Sequence, residues 1–198
     1  MNEEELDDFA DVSIITAMLI GTAKDATIKH AIRIQKMAFL VDKILAQPDL
    51  DEEFDFGPDK FGPMSENVEN AVDMLIEWGY ASQAGNKNGG ASLTEDGLDL
   101  VNCASKKYPN IHKLCNYLND NLSVLSNNEL VKVVYRLYPE DTVNSLIRDE
   151  LVNSDKVDSL IIDMKSSGTC EIVSENGTIY SVEINYGVAR LEGAGIDA

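Results

Sequence analysis

Residues 65–94 read SENVENAVDMLIEWGYASQAGNKNGGASLT, and this pattern decides the fold class. Val68, Val72, Leu75 and Ile76 recur at helical spacing, which predicts one amphipathic helix from Ser65 to Trp78 with Ser65 as its N-cap. Glu66 then lies at the positive end of the helix dipole. Gly79 stops the helix. Beyond it, Tyr80 to Gln83 and Ala91 to Thr94 flank the turn-rich Ala84 to Gly90, the pattern of a β-hairpin with a Gly/Asn-rich tip. Thr94 can cap a further helix from Glu95 to about Lys107.

Two more helices precede this hairpin pattern. From Val12 to Lys24, the residues Val12, Ile14, Ile15, Met18, Leu19 and Ile20 cover most of a helical surface, which predicts a largely buried first helix. Thr27 is placed to cap a second helix reaching about Leu45, the expected central core helix, with Ile28, Ile32 and Phe39 in one stripe. Its remaining face is expected to carry Lys29, Arg33, Lys36 and Lys43, all projecting from one side. Residues 46–63 break the period with Pro48, Gly57, Pro58, Gly62 and Pro63, and this connector is expected to be held down by Phe54, Phe56 and Phe61. Three helices, a hairpin and one more helix is the order of a winged helix. An unrelated α+β bundle is the alternative.

Past Pro109 the amphipathic stretches Ile111 to Leu122, Asn127 to Tyr138 behind a Ser126 cap, Thr142 to Val152 and Val157 to Met164 predict a helical extension. The β-rich runs Thr169 to Ser174, Thr178 to Ile184 and Val188 to Leu191, the first two joined by Asn176-Gly177, predict a meander. The expected architecture is α+β and mainly α. Residues 1–10 are read as a flexible acidic tail, 11–108 as the winged-helix domain and 109–166 as the helical extension packed on it. Residues 167–192 are read as a small antiparallel β-meander and 193–198 as a flexible tail.

The chain has 198 residues, 35 acidic and 16 basic, for a formal net charge of −19, and with 44% hydrophobic residues it can still bury a core. No apolar run reaches the roughly 18 residues of a membrane helix. The nearest, Val12 to Ala23, follows Glu3, Glu4, Glu5, Asp7 and Asp8, the reverse of a secretory leader. A cytoplasmic protein without a membrane partner is therefore expected. Cys103, Cys115 and Cys170 are too widely spaced, and odd in number, for a disulfide framework. His112 and Cys115 lie three residues apart, but with Cys103 they lack a fourth zinc ligand, and Ile111, Leu114, Cys115 and Leu118 read as one core face. The run Asp49, Asp51, Glu52, Glu53 lacks the turn Gly and twelfth-position ligand of a calcium loop. Gly85 to Gly90 is not followed by the Gly-Lys-Ser/Thr of a phosphate loop. No catalytic residue, metal site or cofactor is predicted, and the chain is expected not to be an enzyme.

At three places the residues resemble a known family. Arg33-Ile34-Gln35-Lys36-Met37-Ala38-Phe39-Leu40 is similar to the Leu-Gln-Lys-Leu-x-Phe/Tyr-Leu helix of the prokaryotic winged-helix YwgA-like proteins and, more distantly, of the Panacea or SocA-like antitoxins. Phe61-Gly62-Pro63-Met64-Ser65 resembles that group's Tyr-Gly-Pro-aromatic-Ser element, with Phe61 and Met64 as departures. Tyr138-Pro139-Glu140 resembles its later Tyr-Pro-Glu. The likeness spans about residues 12 to 150, and it implies a regulatory or antitoxin-like winged-helix protein without enzymatic activity.

A winged helix that reads DNA lays its third helix in the major groove. Here the predicted exposed face of that helix is Glu66, Asn67, Glu69, Asn70, Asp73 and Glu77, so four carboxylates would meet a polyanion, against the counterion-release term. The favoured expectation is a protein-interaction module in which Glu66, Glu69, Asp73 and Glu77 engage a basic partner, a toxin or a nucleic-acid-associated protein. A solvated helix face is the plainer alternative. The second expectation is a transcription regulator binding DNA through Lys29, Arg33, Lys36, Lys43 and Lys87. Pairing with a second copy of the chain stays open.

Overall fold

In a computed structural model, the chain is described at residues 3–45, 53–85, 89–138 and 141 and in three C-terminal strands. The elements run α1 (Glu3–Leu6), α2 (Asp11–Gly21), β1 (Thr27–His30), α3 (Ala31–Leu45), α4 (Glu66–Glu77), β2 (Ala81–Ala84), β3 (Gly89–Leu93), α5 (Glu95–Lys107), α6 (Pro109–Leu122) and α7 (Asn127–Leu137). β4 (Thr169–Val173), β5 (Ile179–Asn185) and β6 (Val188–Gly193) follow. The chain is thus α+β and mainly α, with two small antiparallel sheets. Among the described residues no helix is long and apolar enough to cross a membrane.

The core is built around α2 and α3. On α2 every residue from Val12 to Ile20 is buried, so the helix has no solvent face, as its all-round apolar pattern requires. On α3 the run Ile34–Asp42 is buried without a break, including the polar Gln35, Lys36 and Asp42. α4 shows the opposite pattern, a single buried stripe of Val68, Ala71, Val72 and Leu75.

The caps fall where the sequence places them. Ser65 Oγ accepts from the Val68 amide at 3.1 Å, and Thr94 Oγ1 accepts from the Gly97 amide at 3.2 Å, each satisfying an orphan donor of its helix. Ser126 and Glu129 close a reciprocal capping box on α7.

The first sheet has the order β1-β3-β2. β1 corrects the expected second helix, which begins at Ala31 rather than at a Thr27 cap. Asp25 and Ala26 have φ of 55° and 46°, which breaks the helical path, and Thr27–His30 then pair with β3 in the register Thr27↔Ser92, His30↔Gly89. The Thr27 and Ser92 hydroxyls meet at 2.7 Å. Gly90 permits the approach, since a Cβ there would stand 2.3 Å from the Lys29 carbonyl carbon. Long-range pairing thus overrides local helical periodicity.

Two further expectations are corrected. Residues 3–10 are not a free acidic tail: Leu6 is fully buried, and Phe9 packs edge-on against Trp78 and Tyr80 with ring centroids 5.4 Å apart in each pair. Asp7 forms an ion pair with Lys107. Two apolar residues three apart suffice to dock the segment but are too few to register as a period. In the connector, Phe54 and Phe56 stack at 5.6 Å and Phe56 meets Phe39 edge-on at 5.3 Å, whereas Phe61 is 52% exposed and is not part of the buried core.

The expected helices Thr142 to Val152 and Val157 to Met164, the hairpin tip with Lys87 and the Asn176-Gly177 turn lie outside the described residues. The meander is present, in the order β4-β5-β6, with Cys170↔Val182 and Glu183↔Arg190 among its pairs.

Candidate interaction surface

The described residues of the three sequence motifs meet in space. Gln35, inside α3, holds the residue that caps α4 from both sides: its Oε1 accepts from the Ser65 amide at 3.0 Å and its Nε2 donates to the Ser65 carbonyl at 2.8 Å. Lys36 donates to the Pro63 carbonyl at 2.6 Å. Ser65 Oγ donates to the Phe54 carbonyl. Gly62, at φ 82°, lies under Tyr135, whose ring would be 2.5 Å from a Cβ at that position. Tyr138 then packs edge-on against Phe39 at 5.4 Å. These residues fix the start of α4 against the core, so their buried polar groups serve positioning.

This overturns the basic stripe. Lys29 is on β1 rather than on the helix, and is exposed. Arg33 donates to the carbonyls of Leu122, at 3.1 Å, and of Leu125, and to Asn127 Oδ1, stapling α3 to the α6–α7 turn where a cation complements the negative end of α6. Burial lowers its pKa. Lys36 is 2% exposed, and desolvation pulls its pKa down to about 8 against the opposing attraction of Asp59. Lys43 pairs with Asp141 at 3.7 Å and lies over the Phe39 ring. The heads point to different tasks because the first of them leaves the helix and two of the others turn inward to carbonyls.

The acidic face of α4 forms as the spacing predicts. Glu66, Glu69, Asp73 and Glu77 are all exposed, opposite the buried stripe, and none of them has an ion-pair partner among the described residues. Beside this face runs a groove of about 260 Å³, its floor made by Ala31, Ile34, Val68 and Val72 and its lip by Glu69 and Asp73. An apolar floor under an acidic lip suits a long cationic side chain, which can bury its stem and keep its head against carboxylate.

His112 and Cys115 behave as packing residues. Cys115 is wholly buried and its thiol pKa is pushed up by desolvation, the reverse of a nucleophile or metal ligand. Burial lowers the His112 pKa, and its Nδ1 accepts from Asn116 at 3.3 Å. Among the described residues no group of three or more His, Cys, Asp or Glu could hold a metal ion.

One feature escaped the sequence reading. A cleft of about 520 Å³ is lined by Glu5, Asp8, Phe9, Trp78, Tyr80, Asp96 and Asp99. Its walls come from three separate segments, and the signal that could have found it is Phe9, an aromatic residue without purpose in a solvated tail. No family model matches this chain, and neither a curated protein nor a solved structure matches it.

Proposed function

We propose that the chain is a non-enzymatic winged-helix interaction module, regulatory or antitoxin-like, that engages a basic protein partner through the acidic face of α4. The order α2-β1-α3-α4-β2-β3, with the sheet order β1-β3-β2, supports the winged-helix reading, in which α4 is the third helix. The observation that carries the partner class is the exposed row Glu66, Glu69, Asp73, Glu77, without an ion pair among the described residues, beside an apolar groove. Set in a DNA groove, this row would oppose phosphate, and Lys29, Arg33, Lys36 and Lys43, expected to offset it, do not share a face. Against a protein rich in Lys and Arg the same row steers the encounter and rejects acidic competitors.

The test is the double reversal Glu69→Lys with Asp73→Lys. The partner is taken as the protein that co-purifies stoichiometrically from the native host, and association is measured at two salt concentrations. The reversal is expected to slow association by about tenfold at low salt, with a smaller loss at high salt, because exposed charges act mainly on the encounter rate. An unchanged rate at both salts returns the face to a merely solvated surface.

A further inference from the structure

The cleft between α1, the end of α4 and the start of α5 has a chemistry of its own. Phe9 stands edge-on to both Trp78 and Tyr80, at interplanar angles of 74° and 75°, so it props the two rings and leaves Trp78 half exposed. Around these rings are two carboxylate pairs, each three residues apart in sequence: Glu5 with Asp8 from the N-terminal segment and Asp96 with Asp99 from the first turns of α5. No Lys, Arg or His is among the described residues lining the cleft. The carboxylates are too dispersed to hold a metal ion. An aromatic wall ringed by separated carboxylates matches an organic cation with an extended apolar or planar face.

We propose that this cleft binds an arginine side chain presented by a basic protein segment. A planar guanidinium stacks on an indole or phenol face and at the same time turns its in-plane donors to carboxylates, which a compact ammonium cannot do at once. The volume of about 520 Å³ also admits the neighbouring backbone of the segment. The site involves none of the four α4 carboxylates proposed above, so it stands or falls separately from that face.

Trp78 is the one tryptophan of the chain, so its fluorescence reports the cleft directly. The full chain is titrated with acetyl-Gly-Arg-Gly-Arg-Gly-amide in about 0.15 M salt, where screening confines exposed charges to roughly 8 Å. The same peptide with citrulline at both arginine positions is the neutral control of equal shape. The arginine peptide is expected to change the fluorescence saturably and to bind about tenfold more tightly than the citrulline peptide. Asp96→Asn with Asp99→Asn is expected to weaken it about tenfold, the variant keeping the circular dichroism of the parent. Glu69→Lys with Asp73→Lys is expected to leave this titration unchanged. No saturable response, equal binding of the citrulline peptide, or full binding by the Asp96/Asp99 variant overturns the proposal. Loss of binding in the Glu69/Asp73 variant overturns the assignment to this cleft and moves the peptide to the α4 face.

Discussion

Lys36 brings an ammonium group into a place closed to water, with the Pro63 carbonyl at 2.6 Å as its hydrogen-bond acceptor. Its pKa in the folded protein is lowered from 10.5 to about 8 by burial. Between these values the unfolded chain binds more protons than the folded one, so stability rises as pH increases through the window, and below about pH 8 the burial cost is constant. Each tenfold loss of proton affinity on folding is worth roughly 1.4 kcal/mol, so the rise is on the order of 3 kcal/mol. Lys36→Met should abolish it, seen as the difference in urea midpoint between variant and parent from neutral pH to about pH 10. A difference that does not change with pH would show that the ammonium is not desolvated in the fold. The position also explains why the sequence reading erred there. Helical spacing places Arg33, Lys36 and Lys43 near one another, but it cannot tell a head that meets solvent from one that turns back to a carbonyl two segments away.

The turn before α4 is the most exacting local structure. Gly62 combines φ 82° with the Tyr135 ring above it, so Gly62→Ala should cost roughly 1–3 kcal/mol through strain and overpacking, read from thermal or urea unfolding. Ser65→Ala removes a cap and the bond to the Phe54 carbonyl, and should cost about 1–2 kcal/mol by the same measurement. An unaltered midpoint for both would mean that the turn does not hold the helix start. These caps and breaks were legible in advance: Ser65, Thr94 and Ser126 mark helix starts through a side-chain oxygen that reaches an amide of the first turn, and Gly79 marks an end through its backbone freedom at φ 83°. β1 was not legible. Its four residues continue an apolar helical period through Ile28 and Ile32, and the partner that makes them a strand is more than sixty positions away, at Ser92.

At the scale of the molecule, the acidic face of α4 lies on a surface that the core does not use. Glu69→Lys with Asp73→Lys should therefore leave the melting temperature nearly unchanged, since the pair exchanges exposed charges worth a few tenths of a kcal/mol each. Leu6→Ala, by contrast, should cost about 2–5 kcal/mol, because a fully buried leucine anchors the N-terminal segment to α5. A small effect there would show that the segment detaches freely. The acidic face of α4 could be read from spacing because every residue of it lies on one helix. The arginine cleft could not, because it joins residues from Glu5 to Asp99 through packing alone. The enclosure of α2 has a further consequence for measurement. With Val12 to Ile20 buried on all sides, the amide protons in the middle of this helix are expected to exchange with deuterium mainly through opening of the entire core. Their exchange rate is thus a built-in gauge of global stability, independent of Trp78 and of either charged surface.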